Sequence, residues 1–117
     1  MKTVILDTDF IINSVKNHID IEESIKSITE YKVEVSYLDK TIDELKNKPL
    51  EKLAIKLINS FKQIKTKKDK TVDELILDLT KKDPTILVAT QDKELKEKLK
   101  KGKIQVISIR QQKYITF

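Results

Sequence analysis

The chain is 117 residues long, contains no cysteine, and sets 24 Lys and Arg against 19 Asp and Glu, a formal net charge of +5. A chain of that length is expected to form one domain over residues 1–117, with a core of its own. Disulfides and cysteine-built zinc ribbons are excluded, and no run of about 18 apolar residues reads as a membrane span.

The N-terminal stretch MKTVILDTDF has Asp7 inside its apolar run, which argues against a secretory leader. A cytoplasmic protein without a membrane partner is the expectation. The positive charge is clustered: Lys62, Lys65, Lys67, Lys68 and Lys70 form one group, and Lys96, Lys98, Lys100, Lys101 and Lys103 another, with Arg110 and Lys113 close behind. Such clusters attract polyphosphates, although a solvated Lys/Glu-rich surface reads equally well.

In chain order, TVILD (residues 3–7) is the first of several short runs that are apolar nearly throughout. Ile21, Ile25 and Ile28 then share one face of a first helix. VEVSYL (33–38) is a second strand. Leu50, Leu53, Leu57, Ile58, Phe61 and Ile64 follow helical spacing over a longer helix, with Pro49 in its first turn. Val72, Leu75, Ile76 and Leu79 mark a further helix, followed by the strand TILVAT (85–90). Leu95 and Leu99 mark a last helix, which Gly102 can end. IQVISI (104–109) is a strand, and KYITF can add one at an edge. Apolar runs that do not alternate suit strands covered on both faces. Strands alternating with helices predict an α/β fold with a mainly parallel sheet of four to five strands and right-handed crossovers.

One phrase occurs twice: DKTIDEL (39–45) and DKTVDEL (69–75). Its flanks differ, which argues against a duplicated segment. Each copy contains Thr-x-x-Glu, the pattern of a capping box, pairing Thr41 with Glu44 and Thr71 with Glu74. Both copies also put carboxylates at helix starts, where the macrodipole favours them.

The strand ends carry the chemistry. TVIL runs into Asp7, and ILVAT reaches Asp92 just after Gln91. Open α/β sheets bind ligands beyond the carboxyl ends of their strands, where strand order reverses. If the first strand lies beside ILVAT, Asp7 and Asp92 meet at that edge. The helix of the first phrase begins there too, and the helix of the second could send in one acid. Carboxylates gathered in this way repel one another, and a divalent cation relieves the repulsion. With no His or Cys among the donors, Mg²⁺ or Mn²⁺ is favoured over zinc. One or two such ions can activate water against a phosphodiester.

Four landmarks in order resemble the PIN domain family of metal-dependent nucleases: ILDTDF (5–10), DEL (43–45), TVDELI (71–76) and VATQDKELKEKLKKGKIQVISIRQQKYI (88–115). The last is similar to the C-terminal part of small single-domain archaeal PIN proteins, related to rRNA-processing PIN nucleases and VapC-type toxins. The resemblance implies a three-layer α/β/α sandwich around a central parallel sheet. It implies an acidic quartet holding one or two Mg²⁺ or Mn²⁺ ions, carried here by Asp7, Glu44, Asp73 and Asp92. Thr90 and Asp9 would stand behind these ligands, and Glu74 would serve as a cap or rival Asp73. Asp9 departs from the Asn or Ser usual at that position, and Gln91 from the usual Asn, the latter without expected consequence.

The activity so implied is a divalent-metal-dependent endoribonuclease, working in rRNA processing or as a VapC-like toxin. A non-catalytic PIN module that binds RNA or a protein is the alternative. Lys65, Lys67, Lys68, Lys96, Lys100 and Arg110 would guide the RNA backbone. The partners implied are RNA, a second copy in a homodimer, and an antitoxin or a ribosomal precursor. His18, alone in a polar stretch, is expected at the surface without a catalytic role. The DTD of residues 7–9 also resembles the start of a haloacid-dehalogenase-type phosphatase, but the motif's continuation is missing.

Overall fold

The computed structural model describes residues 1–117. The chain runs β1 (Lys2–Leu6), α1 (Thr8–Lys16), α2 (Ile21–Ile28), β2 (Val33–Leu38), α3 (Asp39–Leu45), α4 (Glu51–Ile58), β3 (Lys62–Ile64), α5 (Val72–Lys82), β4 (Leu87–Ala89), α6 (Lys93–Lys101), β5 (Val106–Arg110) and β6 (Tyr114–Thr116). Six strands form one sheet in the order β3-β2-β1-β4-β5-β6. The first five in that order are parallel and β6 closes the edge antiparallel.

The apolar runs become strands buried from both sides, because successive side chains point to opposite faces. On β1, Val4 and Leu6 face one cluster, with Phe10 and Ile11 of α1, Ile21 and Ile25 of α2, and Ala54 and Ile58 of α4. Ile5 faces the other, with Val72 and Ile76 of α5 and Leu95 and Leu99 of α6. This is the expected α/β/α sandwich. Phe10, Ile21 and Ile76 are wholly buried, each contributing roughly 1.5–3 kcal/mol of transfer free energy.

The chain lays β2 and then β3 on one side of β1. It returns through α5 on the opposite face and places β4 on the other side of β1. Strand order therefore reverses between β1 and β4, which opens a crevice at their carboxyl ends.

The sheet has one strand more than the four or five expected from the apolar runs. The long helix expected through Ile64 ends at Ile58, and Lys62–Ile64 instead pairs with β2. Phe61 and Ile64 suit helical spacing, yet they pack in different clusters, on opposite faces of the sheet. Pro49 lies outside α4, which begins at Glu51 after Leu50 in a left-handed conformation (φ 68°). A helix over Thr8–Lys16, which the apolar spacing did not announce, follows β1 directly, with Asp7 at its N-cap. Gly102 caps α6 as expected, and His18 is exposed.

The two phrases also part company. Thr71 and Glu74 form the capping box of α5. Thr41 and Glu44 do not form one, because α3 starts at Asp39 and Thr41 sits inside it. Asp39 instead accepts hydrogen bonds from the Thr66 backbone N–H (3.0 Å) and hydroxyl (2.6 Å), tying the loop after β3 to the start of α3.

Candidate active site

Asp7 and Asp92 lie at the reversal point, linked through Thr90. Asp7 directly follows β1, and its backbone N–H donates to the Ala89 carbonyl of β4 at 2.9 Å. Its side chain is only 3% exposed. Oδ1 accepts from the Thr8 N–H at 2.8 Å and Oδ2 from the Thr90 hydroxyl at 2.7 Å. That hydroxyl in turn accepts the Asp92 N–H at 3.1 Å. Asp92 caps α6, Oδ1 accepting the Leu95 N–H at 2.9 Å. Thr90 is thus the pin between the two acids.

Two more acids close the edge. Glu44, in the last turn of α3, accepts the Thr8 hydroxyl on Oε1 (2.9 Å) and the Val72 N–H on Oε2 (3.2 Å). The second bond fixes the first residue of α5, and so the position of Asp73 next to it. Glu74, by contrast, is exposed and turned to its cap. Asp9 is exposed at the rim and adds its charge to those bearing on Asp7 and Asp73.

The electrostatics follow from this crowding. Burial, then the charges of Asp73 and Asp9, push Asp7 up to about 7 against the hydrogen bonds from Thr90 and Thr8. Burial, then Asp92, Glu44 and Asp9, push Asp73 above the usual carboxylate range. The crowded, buried carboxylates favour a proton or a cation among them. The site's donors are all carboxylate oxygens, which fits a hard divalent cation such as Mg²⁺ or Mn²⁺. The acids are gathered without forming a finished cage. No group of three His, Asp or Glu side chains is close enough together to hold an ion as it stands.

The lysines flank this edge. The loop carrying Lys65, Lys67 and Lys68 leaves the carboxyl end of β3, and Lys68 Nζ stands 3.8 Å from Asp43. On the other side, Lys96, Lys100 and Arg110 line a crevice between α6 and β5. A surface cavity of about 540 Å³ around Met1, Lys32 and Val33 lies at the opposite end of the sheet and holds none of the quartet.

Two contributors carry no mark in the sequence. Thr8 donates to both Asp7 and Glu44, and only its place beside Asp7 could have singled it out. Gln91, whose departure from the usual Asn was expected to be harmless, bonds to the neighbouring strand with its side chain. It accepts the Ile109 N–H at 2.7 Å and donates to the Ile109 carbonyl at 3.1 Å, so the short β4 stays registered with β5.

A parallel α/β/α sheet with acids gathered where its strand order reverses is the architecture of a PIN-like nuclease fold. Residues 4–112 match the family model of the PIN like domain, and the chain belongs to that family. It is 36% identical to "Ribonuclease VapC4" of Methanocaldococcus jannaschii, over 97% of this chain and 95% of that protein. Its fold superposes on the structure of the PIN domain endonuclease Utp24 with a TM-score of 0.85 at 26% identity, covering 97% of this chain and 88% of the other.

Proposed function

We propose that residues 1–117 form a single PIN-like domain that is a divalent-metal-dependent endoribonuclease. Asp7, Asp92, Asp73 and Glu44 would hold one or two Mg²⁺ or Mn²⁺ ions, directly or through waters. The observation that carries this reading is the Asp7–Thr90–Asp92 bridge at the reversal point, with Asp73 close enough to raise the pKa of Asp7. The similarity to a ribonuclease and to a PIN domain endonuclease supports RNA cleavage. A bound ion supplies Lewis acidity, activating water for in-line attack and easing departure of the leaving oxygen.

The chain's own residues have separate tasks. Asp7 is held from both oxygens by Thr8 and Thr90, so its orientation is set before substrate arrives. Glu44 ties α1 to α5 and thereby sets the distance between Asp7 and Asp73. Asp9 and Thr90 tune the charge and direction of the ligands. The lysines on either side draw the RNA backbone across the edge. No covalent enzyme intermediate is needed.

We infer a role in rRNA processing or as a VapC-like toxin, in the cytoplasm, with a homodimer as the working form. Growth arrest on expression, relieved by an antitoxin encoded beside it, favours the toxin. Binding to ribosomal precursors without toxicity favours processing.

The test is cleavage of single-stranded RNA by purified protein with Mg²⁺, Mn²⁺ or EDTA. Cleavage should require the metal and vanish in Asp7→Asn with RNA binding kept. Undiminished cleavage by Asp7→Asn would refute the assignment. Saturable RNA binding with no turnover of any RNA would replace the enzyme with a non-catalytic binding module.

A further inference from the structure

Lys96 and Lys100 lie one turn apart on α6, and Arg110 ends β5 beside them. With Val106, Ser108, Ile109 and the Phe117 ring they line a crevice of about 260 Å³. Ser108 and Arg110 share a face with Val106, which packs toward α5 and α6.

Three observations bear on the crevice. First, its cations have no ion-pair partner within 4.0 Å, as is true of most lysines of the chain. The ion pairs of the molecule use Lys26, Lys46, Lys62, Lys68, Lys70 and Lys98, and no carboxylate stands within ion-pair distance of Lys96, Lys100 or Arg110. Lys98, on another face of the same helix, is paired with Glu94. Second, the three cations crowd one another. Burial, then Lys100, Arg110 and Lys93, hold the Lys96 ammonium below the usual lysine range. Like charges kept together without a partner are unfavourable, and a bound anion reverses that cost. Third, the group is fixed to the carboxylate edge. Gln91, next to Asp92, clamps Ile109, next to Arg110, through two hydrogen bonds. Lys96 follows Asp92 by about one helical turn, near 5.4 Å along the axis, and Lys100 by about two.

We propose that this crevice binds an internal phosphodiester of the RNA strand, at a nucleotide beyond the one being cut. Lys96, Lys100 and Arg110 contact the phosphate and the Phe117 ring supports the adjoining base. The site rests on the ribonuclease reading above, but its test does not need turnover. Arg110 is the only arginine of the chain, and its planar fork suits a bidentate phosphate contact. The partly exposed Phe117 ring offers a stacking face that any base can use.

The experiment measures binding of a fluorescein-labelled single-stranded RNA of about a dozen nucleotides, in EDTA, at several salt concentrations. The proteins are wild type, Lys96→Gln/Lys100→Gln/Arg110→Gln, and Lys81→Ala/Lys82→Ala as a control at the far end of α5. The triple variant should bind about tenfold more weakly, with a salt slope smaller by about 0.7 for each phosphate it no longer neutralises. The control should match wild type. The loss should be equal for RNA with a 5′-phosphate and RNA with a 5′-hydroxyl. Loss confined to the 5′-phosphorylated RNA would overturn the internal site in favour of a terminal one. Unchanged affinity and slope would overturn the site altogether, as would an equal loss in the control. Melting of the triple variant at or above the wild-type temperature shows that weaker binding is not unfolding. If the triple variant melts lower, single Arg110→Gln and Lys96→Gln variants carry the comparison. Absence of metal-dependent cleavage in wild type would count against the ribonuclease reading and leave the binding result to be judged by itself.

Discussion

The Thr90 hydroxyl donates to Asp7 Oδ2 at 2.7 Å, across a separation of 83 positions in the chain. Because the same oxygen accepts the Asp92 N–H, one small side chain aligns the first and last acids of the edge. Thr90→Val keeps the shape and removes both bonds. It should lower metal affinity or cleavage by about 10–100-fold and move the pH midpoint of metal binding upward, since the hydrogen bond from Thr90 lowers the pKa of Asp7. Thr90→Ser should restore most of both. A Thr90→Val enzyme with wild-type affinity and pH profile would show that the bridge is structural only.

Asp7 gives the metal-free protein one distinct pH-dependent contribution. Its folded pKa, about 7, lies above the ordinary aspartate value of 3.8. The folded state therefore holds the proton more tightly, and the contribution of Asp7 to stability is full below about pH 4 and is lost as pH rises through 7. The loss has an upper bound of roughly 4 kcal/mol. Asp7→Asn removes this penalty, so in EDTA at pH 8 the variant should melt higher than wild type while being inactive. Melting temperatures at pH 5 and pH 8 measure it. Equal pH dependence in both proteins would contradict the buried position of Asp7.

The adjacent acids of TVDEL should separate cleanly. Glu74→Ala removes the return half of the capping box, leaving the Thr71 cap on the helix, and should lower stability slightly with cleavage retained. Asp73→Asn should do the opposite, sparing or raising the melting temperature and weakening metal-dependent cleavage. Chemical denaturation beside a cleavage assay decides it. If Glu74→Ala were the inactive variant, the roles would be reversed.

Thr41 is buried inside α3, and its hydroxyl has no hydrogen-bond partner. Thr41→Val removes that unsatisfied group without changing the volume, and should stabilise by about 1 kcal/mol. A lower melting temperature would mean that the hydroxyl does useful bonding.

What the sequence revealed and what it hid follow one rule. Asp7 and Asp92 were legible because each follows an apolar run, and a parallel sheet brings the carboxyl ends of such runs together. Capping chemistry was legible at Thr71, where pattern and structure agree. At Glu44 the same four-residue pattern misled, because α3 already starts at Asp39 and Thr41 lies inside it, leaving the carboxylate to accept from Thr8 and the Val72 N–H. Strand β3 was hidden because Phe61 and Ile64 are three apart, a spacing that also suits a helix, and because edge pairing with β2 is non-local. Thr8 and Gln91 act through partners far away in sequence, so no local pattern marks them.

The most direct measurement is a Mn²⁺ titration followed by paramagnetic broadening of the backbone amide resonances. Broadening should begin together at Thr8, Val72, Asp73 and Asp92, spread outward from there, and disappear in Asp7→Asn. Broadening centred elsewhere, or unchanged in Asp7→Asn, would contradict a shared cation site at the edge of the sheet.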